Sequence, residues 1–232
     1  MSTYNRENQY ITLLSQRSYS VKELSEKLFI SEPTVRRDIT VLLEKGLVSR
    51  KNGIVSIKSN SPDQRIPLFV RNFEQNESKQ AIAQKASQYI KDGYAIMLDA
   101  STTAFCLLPY IAQLKNVLVI TNGAKTALEA TSMGIKTICT GGEITLESFS
   151  YVGHDAESTL SRYNADVAFF SCRGISESGT VSDNSILENS MRKIMIKNSK
   201  KQYLLCDQSK LGKTYLNTLC NTDDLDGVIT EA

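Results

Sequence analysis

Between Tyr19 and Ile57 the chain is punctuated by cap and turn residues at a spacing few folds require. Ser20 and Glu23 stand in S-x-x-E order, in which each end can satisfy the other's free backbone N–H at a helix start. Leu24 and Leu28 carry the apolar stripe onward, and Phe29-Ile30 is expected to be a turn that buries two large side chains. Ser31 is placed as the N-cap of the next helix, with Pro33 in its first turn, where a missing N–H costs little. Val35, Ile39 and Leu42 recur at i, i+4 and i+7 and mark its core face. Thr34, Arg37 and Asp38 are left to another face, flanked by Arg36. Gly46 is placed to stop the helix. Leu47–Lys51 and Ile54–Ile57 then flank Asn52-Gly53, the pair that best fits a type I′ hairpin turn. Upstream, Tyr10, Leu13 and Leu14 share one face of a helix expected over Arg6–Gln16. Helix, helix, turn, helix and basic hairpin make a winged helix-turn-helix.

Such a unit reads double-stranded DNA through its second capped helix and its hairpin. Ser31 and Thr34 can reach phosphates or base edges, and Arg36 and Arg37 can clamp phosphate or read guanine bidentately. Arg50 and Lys51 stand at the wing tip, suited to backbone phosphate. The alternatives are that these cations form a solvated face, or that the unit binds protein. Charge is distributed in keeping with DNA binding. Residues 1–58 hold ten Lys/Arg against six Asp/Glu, and the rest seventeen against nineteen. A basic unit on a slightly acidic body suits a nucleic-acid reader with a regulatory domain.

Composition removes other classes. No apolar run reaches the roughly 18–20 residues of a membrane span. The first residues lack the basic and apolar regions of a secretory signal, so the cytoplasm is the expected location and no membrane partner is expected. Five cysteines without C-x-x-C spacing and a single His154 give no zinc pattern, so neither metal nor cofactor is expected. Cys139, Cys172 and Cys206 each end an apolar run and are read as buried strand ends, with a redox role as the alternative. His154 is placed in a Gly-containing loop after a strand, in a structural or exposed role.

Residues 59–72, rich in Ser, Pro and polar groups, read as a linker. From residue 73 helices alternate with short apolar strands, the pattern of a parallel α/β sheet. A helix over Lys79–Lys91 is expected to pack Ile82, Ala86, Tyr89 and Ile90 on one side. Strand Ala95–Leu98 runs into Asp99, Ser101, Thr102 and Thr103 before a helix. Backbone N–H groups there favour an anion, although without a Lys it is no Walker loop. Val117–Ile120 leads to Thr121-Asn122-Gly123, Thr137–Cys139 to Thr140-Gly141-Gly142, Val167–Cys172 to Arg173-Gly174, and Tyr203–Cys206 to Asp207–Gly212 with Lys210. Ligands of open α/β sheets sit beyond the carboxyl ends of strands, so these loops suggest an anionic, polyhydroxylated ligand.

SEPTVRRDITVLLEKGLVSRKNG resembles the winged-helix signature of the DeoR family of transcriptional regulators, and ESKQAIAQKASQYIKDGYAIMLDASTT, VITNG, TGGEI, SCRGIS and CDQSKLGK resemble successive blocks of its sensor domain. The resemblance implies a bacterial regulator, most often a repressor of carbohydrate catabolism, with a sensor similar in fold to ribose-5-phosphate isomerase and a phosphorylated sugar as effector. Carried over by motif, Asp99, Ser101, Thr102 and Thr103 would line the phosphate side, and Asn122, Gly141, Gly142, Arg173 and Gly174 the pocket. Asp183 and Glu188 fall in an acidic block, and Lys210 in the S-K-x-G block. Lys79 opens the sensor and is read as a surface cation. Two departures stand out. Many members carry an acid before Gly-Ile where this chain has Arg173, which either reads a phosphate or carboxylate or pairs with Asp183 or Glu188. The family also usually continues past Gly227–Thr230 with another helix and strand, whereas this chain stops at Ala232, so a truncated or short sensor is expected.

The sequence is thus read as a winged helix-turn-helix over 1–58 and an α/β sensor over 73–232, acting as a non-catalytic, ligand-responsive DNA-binding repressor. A sugar-phosphate isomerase-like enzyme fused to a winged helix is the alternative, with Asp99, Asp183, Glu188 and Lys210 as acid–base groups. One winged helix offers few contacts, so a homo-oligomer, dimer or tetramer, on repeated half-sites is expected.

Overall fold

The computed structural model describes residues 3–44, 46–57 and 76–232. The chain forms two compact units, Met1–Gln75 and Asn76–Ala232. The linker expected over 59–72 lies outside the described residues.

In the first unit, α1 (Thr3–Gln16), β1 (Tyr19–Ser20), α2 (Val21–Leu28) and α3 (Glu32–Glu44) precede the wing strands β2 (Val48–Lys51) and β3 (Ile54–Ile57). The capping box forms: Glu23 N donates to Ser20 Oγ at 3.2 Å and Ser20 N to Glu23 Oε2 at 2.7 Å. α3 ends in a Schellman arrangement, Gly46 N donating to Leu43 O and Leu47 N to Leu42 O. Asn52 and Gly53 both take positive φ, 50° and 80°, as a type I′ turn demands. Tyr10, Ile11, Leu24, Val35, Ile39, Leu42 and Val55 fill the core.

Two expectations fail here. Phe29 is 94% exposed. It is the C-cap of α2 in the left-handed region, at φ 55°, which turns its side chain outward, while Ile30 packs on the core. Asp38 is buried rather than set beside Thr34 and Arg37. Its Oδ2 accepts from Arg6 Nε at 3.2 Å and Tyr10 Oη at 3.3 Å, so α1 supplies a polar partner and the carboxylate turns inward. That carboxylate and burial raise the Tyr10 pKa, burial being the larger cause.

The second unit runs α4 (Asn76–Ala86), β4 (Ala95–Leu98), α5 (Thr102–Phe105), α6 (Leu108–Ile111), β5 (Leu118–Thr121), α7 (Ala124–Ser132), β6 (Lys136–Cys139), β7 (Glu143–Ile144), β8 (Tyr151–Val152), α8 (His154–Leu160), β9 (Val167–Ser171), β10 (Gly174–Ile175), β11 (Thr180–Asp183), α9 (Ile186–Lys197), β12 (Gln202–Leu205), β13 (Asn217–Asn221) and β14 (Gly227–Ile229). The main sheet has the order β14-β12-β9-β4-β5-β6 and is parallel throughout. Buried apolar layers cover both faces, as a parallel sheet needs. Leu98, Val119, Phe169 and Leu205 face one layer with α4, and Met97, Ile120, Phe170 and Leu204 face the other with α8 and α9. The small antiparallel sheet β10-β11-β13 is absent from the sequence reading.

Smaller corrections concern ends and faces. The first sensor helix passes into a 3-10 turn over Ser87–Tyr89, and Tyr89 is partly exposed, stacked on Tyr203 with centroids 4.2 Å apart. Cys139 is exposed because β6 is an edge strand, whereas Cys172 and Cys206 are buried just past their strands. His154 opens α8 instead of lying in a loop. No helix among the described residues is long and apolar enough to cross a membrane.

Candidate functional site

The winged helix presents its cations outward. Arg36 and Arg37 are both exposed on α3, but they differ. Arg36 Nη2 reaches Glu32 Oε2 one turn back at 3.1 Å, whereas Arg37 has no side-chain partner among the described residues. Ser31 and Thr34 sit at the start of α3, their hydroxyls 2.9 Å apart. Arg50 and Lys51 are exposed at the wing tip. The wing is stiffened below them by Ser49 and Ser56, paired across the strands with hydroxyls 2.9 Å apart. Backbone and core thus fix the positions of Thr34, Arg37, Arg50 and Lys51, and their polar ends remain in solvent, where phosphate can exchange for water.

The sensor keeps its charge inside. Strand periodicity of two carries the face of Met97, Ile120, Ile138, Phe170 and Leu204 onward to Asp99, Asn122, Thr140, Cys172 and Cys206, a row at the carboxyl edge of the sheet. Asp99 is buried. Its Oδ1 accepts from Ser101 N at 3.0 Å, and its Oδ2 from Ser171 N at 3.1 Å and Arg192 Nε at 3.0 Å. Arg192, buried on α9, also donates to Asp183 Oδ2 at 2.9 Å, Asn189 Oδ1 at 3.1 Å and Glu188 Oε2 at 3.2 Å. One guanidinium therefore ties β4, β11 and α9 together. Burial alone would lower the Arg192 pKa, but Asp183, Asp99 and Glu188 outweigh it and raise it. Burial pushes Asp183 up, yet Arg192, the Ser185 N–H and Arg173 hold its carboxyl below the usual range.

The remaining candidates surround this hub. Arg173 is half-buried, its Nε 3.8 Å from Asp183 Oδ1. Glu188 Oε1 accepts from Ser150 Oγ at 3.1 Å and from Ser148 Oγ, which draws the Thr145–Ser150 loop to the start of α9. Lys210 Nζ donates to Ser171 Oγ at 2.8 Å and lies 3.5 Å from Asp207 Oδ2. Ser101 caps α5 by accepting from Ala104 N, and Thr102 and Thr103 are buried behind it. Asn122 donates through Nδ2 to Tyr151 O at 3.1 Å. Gly142 takes φ +103°, and a Cβ there would come within 2.9 Å of Val152 O, so the loop after β6 packs close on β8 and α8. Gly141 adjoins it in that loop, and Gly174 opens β10. Among the described residues, three buried side-chain atoms have no hydrogen-bond partner: Thr103 Oγ1, Asn122 Oδ1 and Thr140 Oγ1. Asn122 and Thr140 directly follow the neighbouring strands β5 and β6, and Thr103 lies on α5, the helix that follows β4.

The sequence reading missed Arg192, Ser148 and Ser150. Ser185 and Glu188 repeat the S-x-x-E cap pattern, and Glu188 and Arg192 the i, i+4 ion-pair spacing, which together signal this helix and its cation.

Known proteins share both halves. Residues 6–60 match the DeoR-like helix-turn-helix domain and residues 74–232 the DeoR C terminal sensor domain. The chain belongs to the DeoR family of helix-turn-helix transcriptional regulators. It is 32% identical to the HTH-type transcriptional regulator GolR of Listeria innocua, over 100% of this chain and 91% of that protein. An uncharacterized regulator of Bacillus subtilis, YulB, is also 32% identical, over 100% and 90%. The glycerol-3-phosphate regulon repressor of Escherichia coli is 27% identical, over 100% and 92%. Among solved structures, the translation initiation factor eIF-2B of Pyrococcus horikoshii gives a TM-score of 0.51 at 14% identity, covering 99% of this chain and 88% of that one. Ribose 5-phosphate isomerase A of Methanocaldococcus jannaschii gives 0.45 at 20% identity, covering 60% and 55%. The parallel α/β sheet is the one that the alternation of helices and short apolar strands implied.

Proposed function

We propose that this protein is a repressor of carbohydrate catabolism genes whose affinity for operator DNA is set by a phosphorylated sugar. The observation that carries the sensing half is the set of orphaned polar atoms of Thr103, Asn122 and Thr140, buried on the helix after β4 and at the ends of β5 and β6. Buried polar groups are normally satisfied, and two hydroxyls with an amide oxygen suit a polyhydroxylated ligand. Ser101, Thr102 and Thr103 offer backbone N–H groups and hydroxyls for its phosphate, and Lys210 and Arg173 bring cations to the same edge. Gly141 leaves open space beside it, and Gly142 and Gly174 let the chain's own segments pack close around the site. Asp99, Asp183 and Glu188 serve the site through Arg192, which fixes the surrounding loops.

On the DNA side, Arg37 and Thr34 read the major groove, while Ser31, Arg36, Arg50 and Lys51 contact phosphates. Two copies of the chain, as a dimer or within a tetramer, place their α3 helices on repeated half-sites. Effector binding shifts the sensor between states that space these helices differently, so effector and DNA affinities are reciprocally coupled.

The engagement of the carboxylates speaks against the enzyme reading. Asp99, Asp183 and Glu188 are held by Arg192, and Lys210 by Ser171 and Asp207. None is poised as a free acid or base. A thermal-shift screen of phosphorylated sugars against the full chain tests the proposal. One or a few should raise the melting temperature in a concentration-dependent way. Turnover of ribose 5-phosphate by the purified protein would overturn the non-catalytic reading.

A further inference from the structure

Cys172 and Cys206 are the one thiol pair that the main sheet sets side by side among the described residues. β9 and β12 are parallel neighbours, with Ser171 opposite Leu205. The first residue past each strand is a cysteine, so the two continue the register. Both side chains belong to the same buried layer. Neighbouring strands lie about 4.7–4.9 Å apart, within the roughly 4.4–6.8 Å that disulfide Cα atoms span. We propose that Cys172 and Cys206 form an oxidisable dithiol within the sensor, which hydrogen peroxide closes to an intramolecular disulfide.

The surroundings give the pair distinct roles. The Cys206 Sγ donates to Asp207 O at 3.5 Å, and the Cys206 thiol beside Cys172, with Lys210 and Arg192 near, draws the Cys172 pKa below its ordinary value despite burial. Cys206 holds its proton, its pKa raised by the neighbouring Cys172 and by burial. A thiolate is the reactive form. The Cys172 thiolate attacks one peroxide oxygen, forming an S–O bond as the O–O bond breaks and hydroxide leaves. This gives the sulfenic acid. The Cys206 sulfur then attacks the Cys172 sulfur. The S–S bond forms, the S–O bond breaks, and the departing hydroxide takes the Cys206 proton as water. Two thiols and one peroxide become one disulfide and two waters, the two electrons passing from sulfur to oxygen. Cys139 is exposed on the edge strand, and Cys106 lies in the opposite apolar layer.

The location gives the bond a consequence. Cys172 directly precedes Arg173, and Cys206 directly precedes the segment from Asp207 to Lys210, so bridging them shifts both cations of the proposed effector edge. This regulatory part rests on the effector reading, whereas the disulfide itself does not.

The full chain, freshly reduced, is treated with hydrogen peroxide, alkylated, and digested with trypsin. The expected product links Tyr163–Arg173 to Gln202–Lys210 and lowers the free thiols of the denatured chain from five to three. In Cys206→Ser the second step is blocked, and Cys172 should instead accumulate as a dimedone-reactive sulfenic acid. Peroxide-treated protein with both thiols free, or with Cys139 as the main site, would overturn the dithiol, and this wild-type readout stands even where the variant fails to fold. The regulatory part is read separately, as affinity for its own promoter DNA. At least a threefold change on oxidation, reversed by dithiothreitol, is expected. A mapped disulfide with unchanged affinity would refute regulation while leaving the thiol chemistry in place.

Discussion

The two units treat charge in opposite ways. In the winged helix, Arg37, Arg50 and Lys51 stand in solvent, and the internal carboxylate Asp38 is matched by Arg6 and Tyr10. In the sensor, Arg192 and three carboxylates are drawn inside, where they join a strand end, a hairpin strand and a helix. Exposed cations contribute little to folding and remain available to a polyanion. Buried ones are costly to leave alone, and so hold a geometry. One unit leaves cations free to meet an external charge, and the other uses one to fix its own loops.

That contrast can be broken, most severely at Arg192. Arg192→Met leaves Asp99, Asp183 and Glu188 without their cation and should cost about 3–5 kcal/mol of sensor stability. Urea denaturation of the full chain would show it, with helix-turn-helix signals unaffected. A loss below about 1 kcal/mol would show that the hub is not structural. Asp38→Ala is the counterpart in the winged helix. It strands Tyr10 Oη and Arg6 and should cost about 1–3 kcal/mol, again measured by denaturation.

Arg37→Ala separates binding from folding. It should weaken operator binding by about 1–3 kcal/mol if Arg37 reads a base, with the melting temperature unchanged. Arg36→Ala should cost less, because Arg36 already spends contacts on Glu32. Fluorescence anisotropy on operator and scrambled DNA distinguishes them: Arg37→Ala should narrow the gap between the two DNAs, and Arg36→Ala should weaken both alike. The smallest effect is at Glu23, whose carboxyl is held down at about 2 by hydrogen bonds from the Ser20 backbone, the Ser20 hydroxyl and Arg17. A depressed folded pKa adds stability above the unfolded value of 4.5 and loses it as pH falls toward 2. An NMR titration should show this midpoint well below those of exposed glutamates, and a midpoint near 4.5 would mean the capping box is not formed in solution.

The winged helix was largely legible in sequence because its signals are local. Ser20 with Glu23, Asn52-Gly53 and the Val35-Ile39-Leu42 stripe each fix a feature within a few residues. Asp38 and Phe29 were misread because their settings are not local: Asp38 turns inward toward partners on α1, and Phe29 turns outward on a left-handed cap. In the sensor, the strands β4, β5, β6, β9 and β12 could be read from short apolar runs. The Arg192 hub could not, since its acids lie 9 and 93 residues away in the case of Asp183 and Asp99. The register that sets Cys172 beside Cys206 likewise follows from strand order, which periodicity does not carry.

Coupling between effector and DNA binding is open to one direct measurement. A phosphorylated sugar that raises the melting temperature of the full chain is added at saturation while affinity for its promoter DNA is measured at fixed salt. A change of about 5–150-fold is expected for a coupling of roughly 1–3 kcal/mol, with the same factor recovered when effector affinity is measured with and without DNA. An operator affinity that does not move under saturating effector would contradict the account.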